Sequence, residues 1–168
     1  GARRVVAVEP SPWAYQVAKR NVEANGLGGV ITLINCAVSH EDGKVLMMPI
    51  REIDGSFRIT ANVKGDVPVP TCTLDLLIER YGPFDVMKMD CEGCEHESIP
   101  YSKKIKEIKK IVMEYHGWYE DLERKLVEDG FEVLFSRALV APKLYKRAAS
   151  PKLVNPSQGY IYAFKRSS

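Results

Sequence analysis

A short apolar run that closes on an acid and leads into an amphipathic helix recurs along this chain, and that repeat constrains the fold more than any other feature. Arg3 to Glu9 (RRVVAVE) is a β-branched run followed by Pro-Ser-Pro, which reads as a buried strand and a turn. Ser11 supplies a cap and Pro12 suits the first helical position. PWAYQVAKRNVEANG therefore reads as a helix ended by Asn25-Gly26, with Trp13, Ala14, Val17, Ala18 and Val22 facing inward. Ile31 to Ile34 reads as a second strand running into Asn35, Cys36, Ala37 and Val38. Thr73 caps LDLLIERY, whose Leu74, Leu77 and Ile78 face inward before Gly82 closes it. The pattern returns as strand FDVMKMD, a helix from about Glu95, strand KKIVMEYH, helix YEDLERKLVEDG and strand FEVLF. Such alternation predicts an α/β layered fold around a mostly parallel sheet.

Two stretches break the alternation. KVLMMPI after Asp42-Gly43, and DVPVPTC, carry turn residues and prolines and read as hairpin or edge strands. GYIYAFK, after Pro-Ser-Gln-Gly, is expected to pair with FEVLF as an antiparallel C-terminal edge hairpin. Between them Arg137 to Gln158 carries Arg137, Lys143, Lys146, Arg147 and Lys152 without one acid. A connection this long is usually functional or disordered. It reads either as a basic flap that selects a negatively charged acceptor or as a solvated loop.

At 168 residues and 45% hydrophobic content the chain fits a single domain, 1–168. Its 24 basic and 22 acidic residues nearly cancel, so no specific nucleic-acid partner and no membrane surface is expected. No apolar run approaches the ~20 residues of a membrane span. The expectation is a soluble, cytoplasmic protein; a homo-oligomer is compatible with the sequence but not specified by it. Cys36, Cys72, Cys91 and Cys94 are too few in a chain this large to suggest a disulfide framework, and reduced thiols are expected.

In open α/β sheets ligands bind at the carboxyl ends of strands, so the residues to weigh are Glu9, Asn35 to Val38, Asp90 to Glu92, and Glu114 to His116. An acid in the position of Glu9 can take both hydroxyls of a ribose, or be an ordinary solvated strand end. Lys88 lies between apolar neighbours in its strand, which predicts burial with Glu114 or Asp90 as partner. The segment MKMDCEGCEHES invites three readings. A structural zinc site wants a second cysteine pair, and none exists. A redox dithiol is opposed by the flanking acids, which raise thiol pKa. The third is a tight turn at Gly93 that presents Asp90 and Glu92 to a strand-end crevice, where paired carboxylates can orient a hydroxyl and accept its proton, or a helix start that favours acids for dipole reasons alone. His116 is a second candidate base, or a strand-end histidine bonded to a neighbour. No metal ligands are assigned.

VVAVEPSPWAYQVAKRNVEANG, INCAVS, VPTCTLDLLIERYG, DVMKMDCEGCE, and IVMEYH followed by LVEDGFEV occur in this order from Val5 to Val133. Together they resemble the FkbM-type methyltransferases, the Lys-x-Asp-x-Glu-Gly-x-Glu block being the most specific element. The resemblance implies a Rossmann-like class I methyltransferase sheet and O-methylation of a small-molecule or sugar acceptor with S-adenosylmethionine as cofactor. It implies Glu9, Asn35, Cys36, Ala37 and Val38 as cofactor-binding residues, and Asp90, Glu92 and His116 as catalytic residues. The family pattern also places a strand and a glycine-rich turn ahead of RRVVAVE, so the chain reads as N-terminally truncated relative to it, with a gap between RRVVAVE and FDVMKMD. A non-catalytic α/β binding or assembly module is the alternative.

Overall fold

Strands form at the apolar runs. The computed structural model describes residues 1–48, 67–136 and 158–165. β1 (Val5–Val8) and β2 (Ile31–Ile34) pair in parallel, connected by α1 (Pro12–Ala24). The Ser11 hydroxyl accepts the Ala14 N–H at 3.2 Å, which fixes the start of α1. Trp13 departs from the expected inward face: it is 50% exposed, and α1 packs through a half-buried stripe with no fully buried residue.

The interrupted stretches do form a hairpin. β4 (Val45–Met48) is antiparallel to β5 (Val67–Cys72), which also runs parallel to the two-residue β3 (Ala37–Val38). α2 (Leu74–Tyr81) follows, capped by Thr73, with Leu74, Leu77 and Ile78 buried. β6 (Val86–Met89) then pairs in parallel with β7 (Lys110–His116), the connection containing α3 (Cys94–Ser98) and two single 3-10 turns. α4 (Glu120–Glu128), β8 (Glu132–Ser136) and β9 (Gln158–Phe164) complete the described elements. The largest core joins these last layers, with Ile99, Ile111, Met113, Leu122, Phe135 and Ile161 almost fully enclosed.

Four expectations need correction. The sheets are mixed, not mostly parallel: β1–β2, β3–β5 and β6–β7 are parallel, while β4–β5, β7–β9 and β8–β9 are antiparallel. β9 does pair with β8, but it inserts between β7 and β8 in the order β6-β7-β9-β8, so the outer strand is β8. Its burial explains why: Gly159, Ile161 and Ala163 are all buried, more enclosure than an edge provides.

Lys88 is not buried. β6 is an outer strand of its sheet, so the lysine side chain stays 67% exposed and reaches Asp90 at 2.8 Å. The thiols are not reduced either. Cys36 pairs with Cys72, their Cα atoms 6.0 Å apart, because the β3–β5 register sets Cys72 opposite Val38 and so brings Cys36, just before β3, close to it. Cys91 pairs with Cys94 at a Cα separation of 5.4 Å, across the left-handed turn of Glu92 and Gly93. Both separations fall within the disulfide range.

The basic segment between the last strands lies outside the described residues except for Gln158. No helix among the described residues is long and apolar enough to cross a membrane.

Candidate functional site

The parallel pairing of β6 with β7 brings their carboxyl ends together, and the site is built there. Asp90 leaves β6, and His116 is the last residue of β7. Between Asp90 and α3 the backbone turns through Glu92, at φ 56, and Gly93, at φ 115. A left-handed conformation costs a non-glycine residue roughly 1 kcal/mol, and here it turns the chain so that the Glu92 carboxylate faces the end of β7. One ligand-type atom from each of Asp90, Glu92 and His116 lies within 4.8 Å of the other two.

Glu95 organises this cluster from below. It is fully buried in the first turn of α3 and accepts the Gly93 N–H at 3.0 Å and the His116 N–H at 2.7 Å. Its Oε1 is also 3.3 Å from His116 Nδ1. A carboxylate can only accept, so Nδ1 carries the hydrogen and Nε2 is left to the outer side, 3.5 Å from Glu92 and 3.9 Å from Glu114. His96 donates from Nε2 to the His116 carbonyl at 3.0 Å, which holds α3 against the end of β7.

β9 supplies the remaining wall. Its register sets Tyr160 opposite Glu114 and Gln158 opposite His116. Gln158 donates to Glu114 at 2.5 Å. Burial, then a hydrogen bond to Glu114, then the charges of Glu114 and Asp90 push the Tyr160 hydroxyl up to about 12. Tyr160 therefore stays a neutral donor across the physiological range.

Beside the cluster a crevice of about 400 Å³ opens between β1 and β6. Val6, Ala7 and Val8 form one wall, Val86 to Asp90 the other, with Leu77 of α2 and Cys91 among the rest. Among the described residues β1 pairs only with β2, and β6 only with β7, so two strand edges face each other across it. The two strands start at the same end, where Arg4 reaches the Pro83 carbonyl at 3.4 Å and lies over the Phe84 ring.

A comparison with protein-family models matches residues 1–139 to the methyltransferase FkbM domain. The chain belongs to the FkbM methyltransferase family. No curated protein and no solved structure matched it. For an FkbM-family chain the sequence-expected residues divide into two groups. Asp90, Glu92 and His116 are brought together. The expected cofactor residues are more scattered: Val38 lines the crevice, but Asn35 donates to the Glu9 and Pro10 carbonyls, Cys36 is a buried disulfide partner, and Ala37 is fully enclosed. Glu9 follows Val8 without being a wall residue, and its Oε1 accepts the Ser11 N–H at 2.8 Å. Sequence reasoning gave no site role to Glu95, Gln158 or Tyr160, and named Glu114 as a strand-end residue and a partner for Lys88 without a role in the site. The glutamate three residues after Glu92, at a helix start beside a histidine-ended strand, was the available signal for Glu95.

Proposed function

We propose that this FkbM-family chain is an S-adenosylmethionine-dependent O-methyltransferase acting on a hydroxyl of a small molecule or sugar, on a Rossmann-like arrangement of its layers. The observation that carries the reading is the convergence of Asp90, Glu92 and His116 at the ends of adjacent parallel strands. The residues present suit the cofactor in kind: an acid ends β1, as ribose recognition requires, and an apolar crevice of drug-like size lies beside it. Glu9 would hold the ribose, with Val38 and its neighbours near the base. When bound, S-adenosylmethionine supplies a methyl group already activated on sulfonium.

Such a displacement needs mostly positioning and a base that acts late. Asp90 and Glu92 orient the acceptor hydroxyl. His116, its Nδ1 proton held by Glu95, takes the hydroxyl proton at Nε2 or passes it to the adjacent carboxylates. Two disulfides weigh toward an oxidising compartment over the reducing cytosol expected from the sequence.

Calorimetry with S-adenosylhomocysteine tests the reading directly. Saturable binding, weakened in Glu9→Gln by about 1.5 to 3 kcal/mol, is expected. The facing edges of β1 and β6, which among the described residues carry no partner strand there, favour one other reading, a binding module whose crevice takes a different occupant. No binding of S-adenosylhomocysteine, together with no transfer of labelled methyl, would select it.

A further inference from the structure

We propose that Asp90, Glu92 and His116 form a divalent-cation site of the manganese type, with an open face toward the acceptor. Three donors from three different side chains, two carboxylate oxygens and one imidazole nitrogen, already lie within 4.8 Å of one another. Cation–ligand bonds of about 2.1 Å in an octahedral shell place neighbouring donors about 3 Å apart, so small rotations of exposed Asp90 and half-buried Glu92 close the set.

The imidazole provides the observation that separates this cluster from an ordinary group of acids. His116 has a side chain only 6% exposed, yet among the described residues no hydrogen bond ends on its Nε2. Fully buried Glu95 engages Nδ1, so Nε2 points at Glu92 and Glu114, 3.5 Å and 3.9 Å away. A carboxylate that orients a histidine from behind, with the other nitrogen facing carboxylates, is the arrangement by which proteins prepare an imidazole for a metal. Glu114, held by Gln158, sits one step further out and supports the same face.

The chemistry of the donors sets the class of ion. Cys91 and Cys94 are joined to each other, which removes thiolates from the set and with them the usual structural zinc site. Two hard oxygens with one borderline nitrogen suit an octahedral first-row dication that retains water, such as Mn²⁺. Bound there, the ion would take the acceptor oxygen in place of one water and lower its pKa. That last role rests on the methyl-transfer reading and, with the ion bound, replaces His116 Nε2 as the group that acts on the acceptor hydroxyl; the cation site itself does not rest on that reading.

The test is Mn²⁺ binding to the intact chain, followed by electron paramagnetic resonance, with ¹⁵N-histidine labelling to reveal a metal-bound imidazole. One Mn²⁺ per chain with a nitrogen coupling from histidine is expected. His116→Ala and Glu92→Gln should each weaken binding at least about 10-fold, and Glu97→Gln, whose carboxylate faces His40, should leave it unchanged. Absence of stoichiometric Mn²⁺, or binding without histidine coupling in the wild-type chain, overturns the site whether or not the variants fold. S-adenosylhomocysteine binding without Mn²⁺ binding would reject the cation site and keep the methyl-transfer reading. Mn²⁺ binding without S-adenosylhomocysteine binding would do the reverse.

Discussion

Glu95 shows how much can rest on one side chain. Its two oxygens serve two backbone amides and one imidazole in a place that water does not reach. Truncation by Glu95→Ala leaves those donors unsatisfied and should cost about 3 kcal/mol in urea unfolding. Glu95→Gln keeps one oxygen but turns an amide donor toward another donor, so an intermediate loss is expected. A loss under about 0.5 kcal/mol for the alanine variant would mean the amides find other partners. Asp90, Glu92 and His116 were legible in the sequence because strand-end position is a local property. Glu95 was not, because an acid in the first turn of a helix is ordinarily a solvated partner of the helix dipole, and only the packing of α3 under β7 shows otherwise.

At the scale of elements, α2 and the chain beyond α3 are tied by Asp75. Burial opposes ionisation of its carboxyl more than any other single influence. Even so, the Ser102 hydroxyl, the Lys104 and Lys103 amides and the Lys104 charge together hold it below its ordinary value of 3.8. A group depressed on folding stabilises the protein above its unfolded pKa, and that contribution fades as pH falls through the folded value. Asp75→Ala should therefore cost about 1 to 2 kcal/mol at pH 7, a figure reduced for partial exposure. The difference between the two proteins should stay level down to about pH 4 and narrow only below 3.8. A gap that closes between pH 5 and 7 would assign the effect to another group. The caps of α1 and α2 were readable in Ser11 and Thr73, since capping is decided within four residues.

The place of β9 was not readable, because alternation says which face is buried and never which strand lies alongside. Gly159 reports that placement. A Cβ built there would meet the buried Tyr115 hydroxyl at 2.6 Å, so Gly159→Ala must displace the ring. A loss of about 1 to 3 kcal/mol is expected from overpacking. A neutral substitution would mean that β9 does not lie against β7 in this register.

Over the whole molecule, the two disulfides are where sequence and structure part furthest. All four cysteines were expected as reduced thiols, and spacing could not relate Cys36 to Cys72, because those two meet only through the β3–β5 pairing. The consequences for stability differ between the bonds. Cys36–Cys72 spans 36 residues and restrains the unfolded chain between β3 and α2, which in the chain-entropy account contributes about 4 kcal/mol. Cys91–Cys94 spans 3 residues and by the same account contributes no more than about 2 kcal/mol. The double variant Cys36→Ala/Cys72→Ala should thus lose about twice as much unfolding free energy as Cys91→Ala/Cys94→Ala. The second pair should instead act on the turn that carries Glu92, lowering turnover or cation affinity more than stability. Thiol titration of the denatured, unreduced protein checks the premise: no reactive thiol is expected before reduction and four after it. Four thiols at the outset, in protein kept under air, would return both pairs to the reduced state and remove this division of labour.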